Sequence, residues 1–254
     1  MTVTSTREAP PRDVVALTKR AVPIRLRGLS AAFPSSQLAK LPRLPETAEE
    51  IRDLAGATNA DLVRDVILGA RANEKAVKTL DLSRYRVIAF ATHGLVPGDL
   101  DGLTKPALAL SAPDVADVDG DGLLAMDEIL SLQLNADWVV LSACNTASGQ
   151  GAGAEAVSGL GRAFFYAGAR ALLVSHWPVE TTSARALTTD LFRRQQEEPG
   201  VDRAQALQQT MNWLIDQGTF VDTKSGKPVF SYAHPIFWAP FTLIGDGGGE
   251  ASAR

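Results

Sequence analysis

Three nearly unbroken apolar runs dominate the hydrophobic pattern: Arg86-Val87-Ile88-Ala89-Phe90-Ala91-Thr92, Asp137-Trp138-Val139-Val140-Leu141-Ser142-Ala143 and Ala171-Leu172-Leu173-Val174-Ser175. Runs this continuous predict strands covered on both faces, as in a parallel sheet buried between helices. Apolar residues between and after them recur at helical spacing. Val157, Leu160, Phe164 and Phe165 mark one helix, and amphipathic segments over Thr182–Gln196 and Val201–Asp216 mark two more. Strand and helix alternate, which predicts an α/β fold: a three-layer sandwich with a mostly parallel central sheet flanked by helices.

Weaker signals fill in the remainder. Pro45-Glu46-Thr47 opens a helical pattern with Ile51, Leu54 and Ala55 as its buried stripe, and Thr47 and Glu50 have capping-box spacing. Asn73 is placed to cap a following short helix. Asp61 to Leu68, Pro106–Leu110 and Phe237–Ile244 read as strands, and Asp127 to Leu132 as a short helix. Residues 1–22 are polar and proline-containing, with one short helical stretch at Val14–Ala21, an irregular stretch follows, and 1–35 read as a tail or linker. The domain then spans 36–246, followed by a glycine-rich tail over 247–254.

Composition narrows the function classes. Twenty-five Lys and Arg against 29 Asp and Glu give a net charge of -4, which supplies no general attraction to a phosphate backbone. Nucleic acid is not an expected partner. No apolar run approaches the roughly 20 residues of a membrane helix, and the opening MTVTSTREAPPRD lacks the apolar segment of a secretory signal. The expectation is a cytoplasmic protein without a membrane partner. A single cysteine, Cys144, excludes an intrachain disulfide and a multi-cysteine zinc site.

Chemistry gathers where the strong strands end, the place where open α/β sheets build their sites. The three runs lead into His93-Gly94, Cys144-Asn145 and His176-Trp177. A cysteine attacks as thiolate and needs a neighbouring base, for which His93 is the natural partner. Gly94 behind it admits a close substrate and offers a backbone N–H to an oxyanion. Spacing alone leaves two readings open, a reactive His93–Cys144 pair or an inert packing cysteine.

The strings Tyr85-Arg86-Val87-Ile88-Ala89-Phe90-Ala91-Thr92-His93-Gly94 and Val139-Val140-Leu141-Ser142-Ala143-Cys144-Asn145-Thr146 resemble the two signature segments of the CHAT family. These are caspase-like and separase-like cysteine peptidase domains, often joined to tetratricopeptide repeats. The likeness continues through Leu160-Gly161-Arg162-Ala163-Phe164, Ala167-Gly168-Ala169-Arg170, Trp177-Pro178-Val179 and His234-Pro235-Ile236-Phe237-Trp238-Ala239-Pro240-Phe241. It implies a caspase-like form of the sandwich and a cysteine endopeptidase with a His93–Cys144 dyad. The N–H groups of Gly94 and Cys144 would stabilise the oxyanion, and the substrate would be an extended protein or peptide segment. It further implies an activating or sensor protein, for which a repeat-containing one is a candidate, and no required cofactor. The rival reading is a catalytically silent interaction module.

Two departures from the family pattern bear on specificity. Trp177 is followed by Pro178-Val179-Glu180-Thr181, so Glu180 is the sole carboxylate where an acid that pairs with a basic P1 side chain is common. An uncharged P1 residue is therefore expected. His176 stands where relatives often have leucine, and with Trp177 and Glu180 it is a candidate for the substrate pocket.

Asp117 to Glu128 also fits the twelve-residue calcium-loop pattern, with Asp117, Asp119 and Asp121 at positions 1, 3 and 5, the Leu123 carbonyl at 7 and Glu128 at 12. Ala125 offers no side-chain ligand at position 9, and Pro106 and Pro113 break any long preceding helix. Calcium (Ca2+) binding and an ordinary family segment both remain open on this pattern.

Overall fold

The computed structural model describes residues 34–142, 152–177, 179–198, 200–222 and 224–248. A four-stranded sheet forms its centre, in the order β1 (Val87–Phe90), β5 (Trp138–Leu141), β6 (Ala171–Ser175) and β9 (Phe241–Gly245). The first three strands are parallel and β9 closes the edge antiparallel to β6. These are the apolar runs of the sequence, and every residue of β1, β5 and β6 is buried.

Alternate residues along each strand serve opposite faces. Val87, Ala89, Trp138, Val140, Ala171 and Leu173 pack with α1 (Thr47–Ala57), α6 (Thr181–Glu197) and α7 (Arg203–Asp216). Ile88, Phe90, Val139, Leu141, Leu172 and Val174 pack with α5 (Ala152–Ala167) and with Ile129 of the short α4 (Met126–Ile129). The result is the expected three-layer α/β sandwich. No helix among the described residues is long and apolar enough to cross a membrane.

Between β1 and β5 the chain builds a small antiparallel sheet of β2 (Gly94–Leu95), β3 (Ala107–Ala109) and β4 (Leu123–Ala125), with α3 (Pro113–Ala116) in its second connection. A short α2 (Glu74–Thr79) precedes β1, and the Asn73 side chain accepts the Ala76 N–H at 2.9 Å, the expected cap. Between α7 and β9 lies a hairpin of β7 (Thr219–Val221) and β8 (Pro228–Ser231), in which Phe220 stacks on Phe230.

At the end of the sheet where the parallel strands begin, charge pins three of them together. Arg86, Asp137 and Arg170 immediately precede β1, β5 and β6. The Asp137 carboxylate pairs with Arg86 and lies 3.4 Å from both Arg170 and Arg203. The Arg203 guanidinium also sits 6.0 Å from the centre of the Trp138 ring.

Three expectations are corrected. Asp61 to Leu68 is a turn, not a strand: the Asp61 carboxylate accepts the Val63 and Arg64 N–H groups, and Asp65 accepts that of Asp61. The Thr47–Glu50 capping box does not form. Glu46 occupies the cap position, Thr47 Oγ1 donates to the Leu44 carbonyl, and Glu50 turns inward. The last strand begins at Phe241, because Pro235–Phe237 form a 3-10 turn capped by His234. The helical stretch at Val14–Ala21 lies outside the described residues.

Candidate active site

Strand register decides what can meet. Phe90 of β1 is level with Leu141 of β5, and Leu141 is level with Val174 of β6. His93, Cys144 and Trp177 each follow their level residue by the same number of positions. Cys144 and Asn145 lie outside the described residues; Ser142, two positions before the cysteine and just past β5, is the last one described before them.

His93 is half-buried at the junction of β1 and the small sheet. Its Nε2–H donates to the Pro42 carbonyl at 2.7 Å. A carbonyl only accepts, so this bond requires the proton on Nε2 and leaves the Nδ1 lone pair as the basic site of the neutral ring. The His93 backbone is equally held: its carbonyl accepts the Ala109 N–H at 2.8 Å, and Thr92 Oγ1 donates to the Ala109 carbonyl. The Ala109 bond flanks the Gly94–Leu108 pair, which makes that pair a non-hydrogen-bonded one. The Gly94 N–H therefore points away from β3. Beside His93 opens a cavity of about 700 Å³, walled by Leu38, Leu41, Thr47, Ala72, Ser111 and Val115 among others.

A group that the hydrophobic pattern missed lies close to the end of β5. Glu50, only 3% exposed, sits on the buried stripe of α1 and is hydrogen-bonded to Ser142. Burial pushes its carboxyl up to about 7, against the opposing pull of the Ser142 hydrogen bond and the Arg185 charge. Arg185, from α6, is held by Asp53 and Glu49 of α1. The signal in the sequence was an acidic residue one position before Ile51 on a stripe that otherwise reads apolar.

The remaining candidates divide. His176 is exposed past the end of β6, with ring Nε2 2.9 Å from Thr242 Oγ1 and its backbone N–H donating to the Pro240 carbonyl. Trp177 is 38% exposed, a large indole left at the strand ends. Glu180 has other work: its carboxylate caps α6 by accepting the Thr182 and Ser183 N–H groups at 3.0 and 2.8 Å.

A family model described as the CHAT domain matches residues 3–246. The chain belongs to the CHAT domain family. It is also 31% identical over 123 residues to tetratricopeptide repeat protein 28 of Mus musculus, a stretch that is 48% of this chain and 4% of the mouse protein. The CHAT family is caspase-like and peptidase-related, and the three-layer sandwich of this CHAT domain agrees with it.

The calcium-like segment of the CHAT domain is tied up in other contacts. Asp117 adopts a left-handed φ of 52° at the end of α3, Asp121 accepts the Leu123 N–H, and Leu123 enters β4. Glu128 accepts the Ala125 N–H at 2.8 Å and pairs with Lys78, which also pairs with Glu74. Glu74 in turn accepts the Asp121 N–H at 3.1 Å. Among the described residues no group of three or more His, Cys, Asp or Glu is arranged to hold a metal ion.

Proposed function

We propose that this CHAT domain is a cysteine endopeptidase of the cytoplasm, acting through His93 and Cys144. The observation that carries the reading is the Nε2–H bond from His93 to Pro42, which reserves Nδ1 for a proton at the strand ends. In the proposed reaction Nδ1 takes the Cys144 thiol proton while sulfur bonds to the peptide carbonyl carbon. The tetrahedral oxyanion is received by the N–H groups of Gly94 and Cys144. Its collapse breaks the C–N bond, His93 returns the proton to the leaving amine, and water then hydrolyses the thioester. The orientation of the Gly94 N–H away from β3 supports its part in this scheme.

His176 and Trp177 are proposed to line the substrate pocket, and an uncharged P1 residue is preferred because the Glu180 carboxylate is spent on α6. The repeat protein that the chain resembles in part favours a repeat-containing activator or sensor. For the 117–128 loop we read an electrostatic tie through Lys78 rather than a calcium site, since an ammonium group faces Glu128. Titration calorimetry with calcium is expected to give no binding heat; a saturable heat lost on Glu128→Gln would overturn that.

The decisive experiment is labelling of the activated protein by a peptide bearing a thiol-reactive electrophile. Cys144→Ala should abolish labelling, and His93→Ala should lower peptide cleavage by about a thousandfold or more. Cleavage that survives Cys144→Ala would end the proposal. A fluorogenic peptide library should be cut after uncharged residues; cleavage mainly after arginine would overturn the specificity.

A further inference from the structure

We infer that the cavity beside His93 is a specificity pocket for the leaving side of the substrate, seating a bulky apolar side chain from one of the two residues that follow the scissile bond. The inference rests on the proposed endopeptidase activity, with P1 on the side of His176 and Trp177. Among the described residues, every wall of the cavity comes from the chain before residue 116, and none from β5, β6 or the helices after them. It therefore opens beyond β1, the edge strand of the central sheet, on the side away from β5. The His93 ring is part of its wall.

In the proposed reaction His93 returns the proton to the amine, so the residue carrying that amine departs from beside the ring. Distance leads to the same place. β6 and β1 lie on either side of β5, two strand spacings of about 4.8 Å apart, and three extended residues span about 10 Å. A peptide with P1 against His176 and Trp177 thus reaches the far side of His93 within two residues of the scissile bond. The walls define what enters there. Leu38, Ala72, Ala91 and Leu110 are buried and Leu41 half-buried, and none offers a side-chain hydrogen bond. The charged groups at the mouth, Arg43 and Asp114, are exposed and opposite in sign, so they select neither a cationic nor an anionic side chain. Hydrogen bonds between the walls hold the space open before any peptide arrives. Ser111 Oγ–H donates to the Gly69 carbonyl at 2.6 Å, the Ser111 N–H to the Ala72 carbonyl at 2.9 Å, and the His93 ring to the Pro42 carbonyl. A volume of about 700 Å³ has room for a large aromatic or aliphatic side chain.

The test uses the full chain and two leaving-side products, diphenylalanine amide and diglycine amide. The chain has three histidines, so its imidazole NMR signals are few, and the set lost in His93→Ala belongs to His93. Diphenylalanine amide is expected to shift the His93 signals saturably, with an affinity about tenfold or more above that of diglycine amide. Ala70 and Val115 line the cavity at exposed positions. Ala70→Trp and Val115→Trp should each fill it and remove most of that difference, with circular dichroism to verify folding. Equal affinities, or a preference that survives both folded variants, would overturn the inference. So would variants that change the sedimentation of the chain and leave peptide binding as it was, since the cavity would then seat a second copy. Longer peptides separate the pocket from the activity. If the activated protein cleaves them with indifference to the two leaving-side residues, the pocket falls and the peptidase stands. If diphenylalanine amide binds at His93 and no peptide is cleaved, the apolar pocket stands and the peptidase falls.

Discussion

At the scale of single residues, the protein places two titratable groups in opposite circumstances. His93 is held through Nε2 by a neutral group, the Pro42 carbonyl. Glu50 is buried, and its raised pKa makes it a source of pH-dependent stability. The folded protein binds this proton more tightly than the unfolded chain, so the contribution is complete below the ordinary value of 4.5 and is lost as pH rises through about 7. The loss is on the order of 3 kcal/mol. Glu50→Gln should therefore melt above wild type at pH 8 and near it at pH 5. Thermal melts across this range check the expectation, and a constant difference at all pH values would contradict it. The place of His93 just past β1 was legible because the apolar run before it marks where the strand stops. Glu50 was not, because an acidic residue near a helix start is normally a cap, and only packing against β5 reveals its inward turn.

At the scale of elements, legibility followed the strength of the hydrophobic period. The three core strands and the helices after β6 were readable because their apolar residues must face a core on a fixed repeat. Asp61–Leu68 misled because its apolar residues sit among aspartates, and Asp61 and Asp65 capture backbone N–H groups into a turn. The β7–β8 hairpin was missed because β8 is exposed along its whole length and carries no alternation. The end of α5 offers a prediction that depends on one backbone angle. Gly168 has φ 113°, and a Cβ there would stand 2.2 Å from the Leu134 carbonyl oxygen. Leu134 cannot retreat easily, since its own N–H donates to the Ala167 carbonyl at 2.7 Å. Gly168→Ala should cost about 2 kcal/mol or more, measured by urea denaturation. A loss below about 0.5 kcal/mol would mean that the junction of α5 with β6 relaxes.

At the scale of the whole molecule, a parallel sheet gives the two ends of its strands separate duties. The carboxyl ends hold His93, Ser142, His176 and Trp177, and the amino ends hold the arginines gathered around Asp137. Asp137→Asn would leave those guanidinium groups without their shared carboxylate. It should lower stability by about 1–3 kcal/mol while the proposed peptide cleavage, assayed at a permissive temperature, stays unchanged. Denaturation and kinetics on the same preparation test both halves; loss of cleavage in a folded Asp137→Asn protein would refute the separation. The consequence concerns tolerance to change. Because an ionic rivet fastens the floor of the sheet, substitutions around the rim above it can accumulate before the scaffold itself gives way.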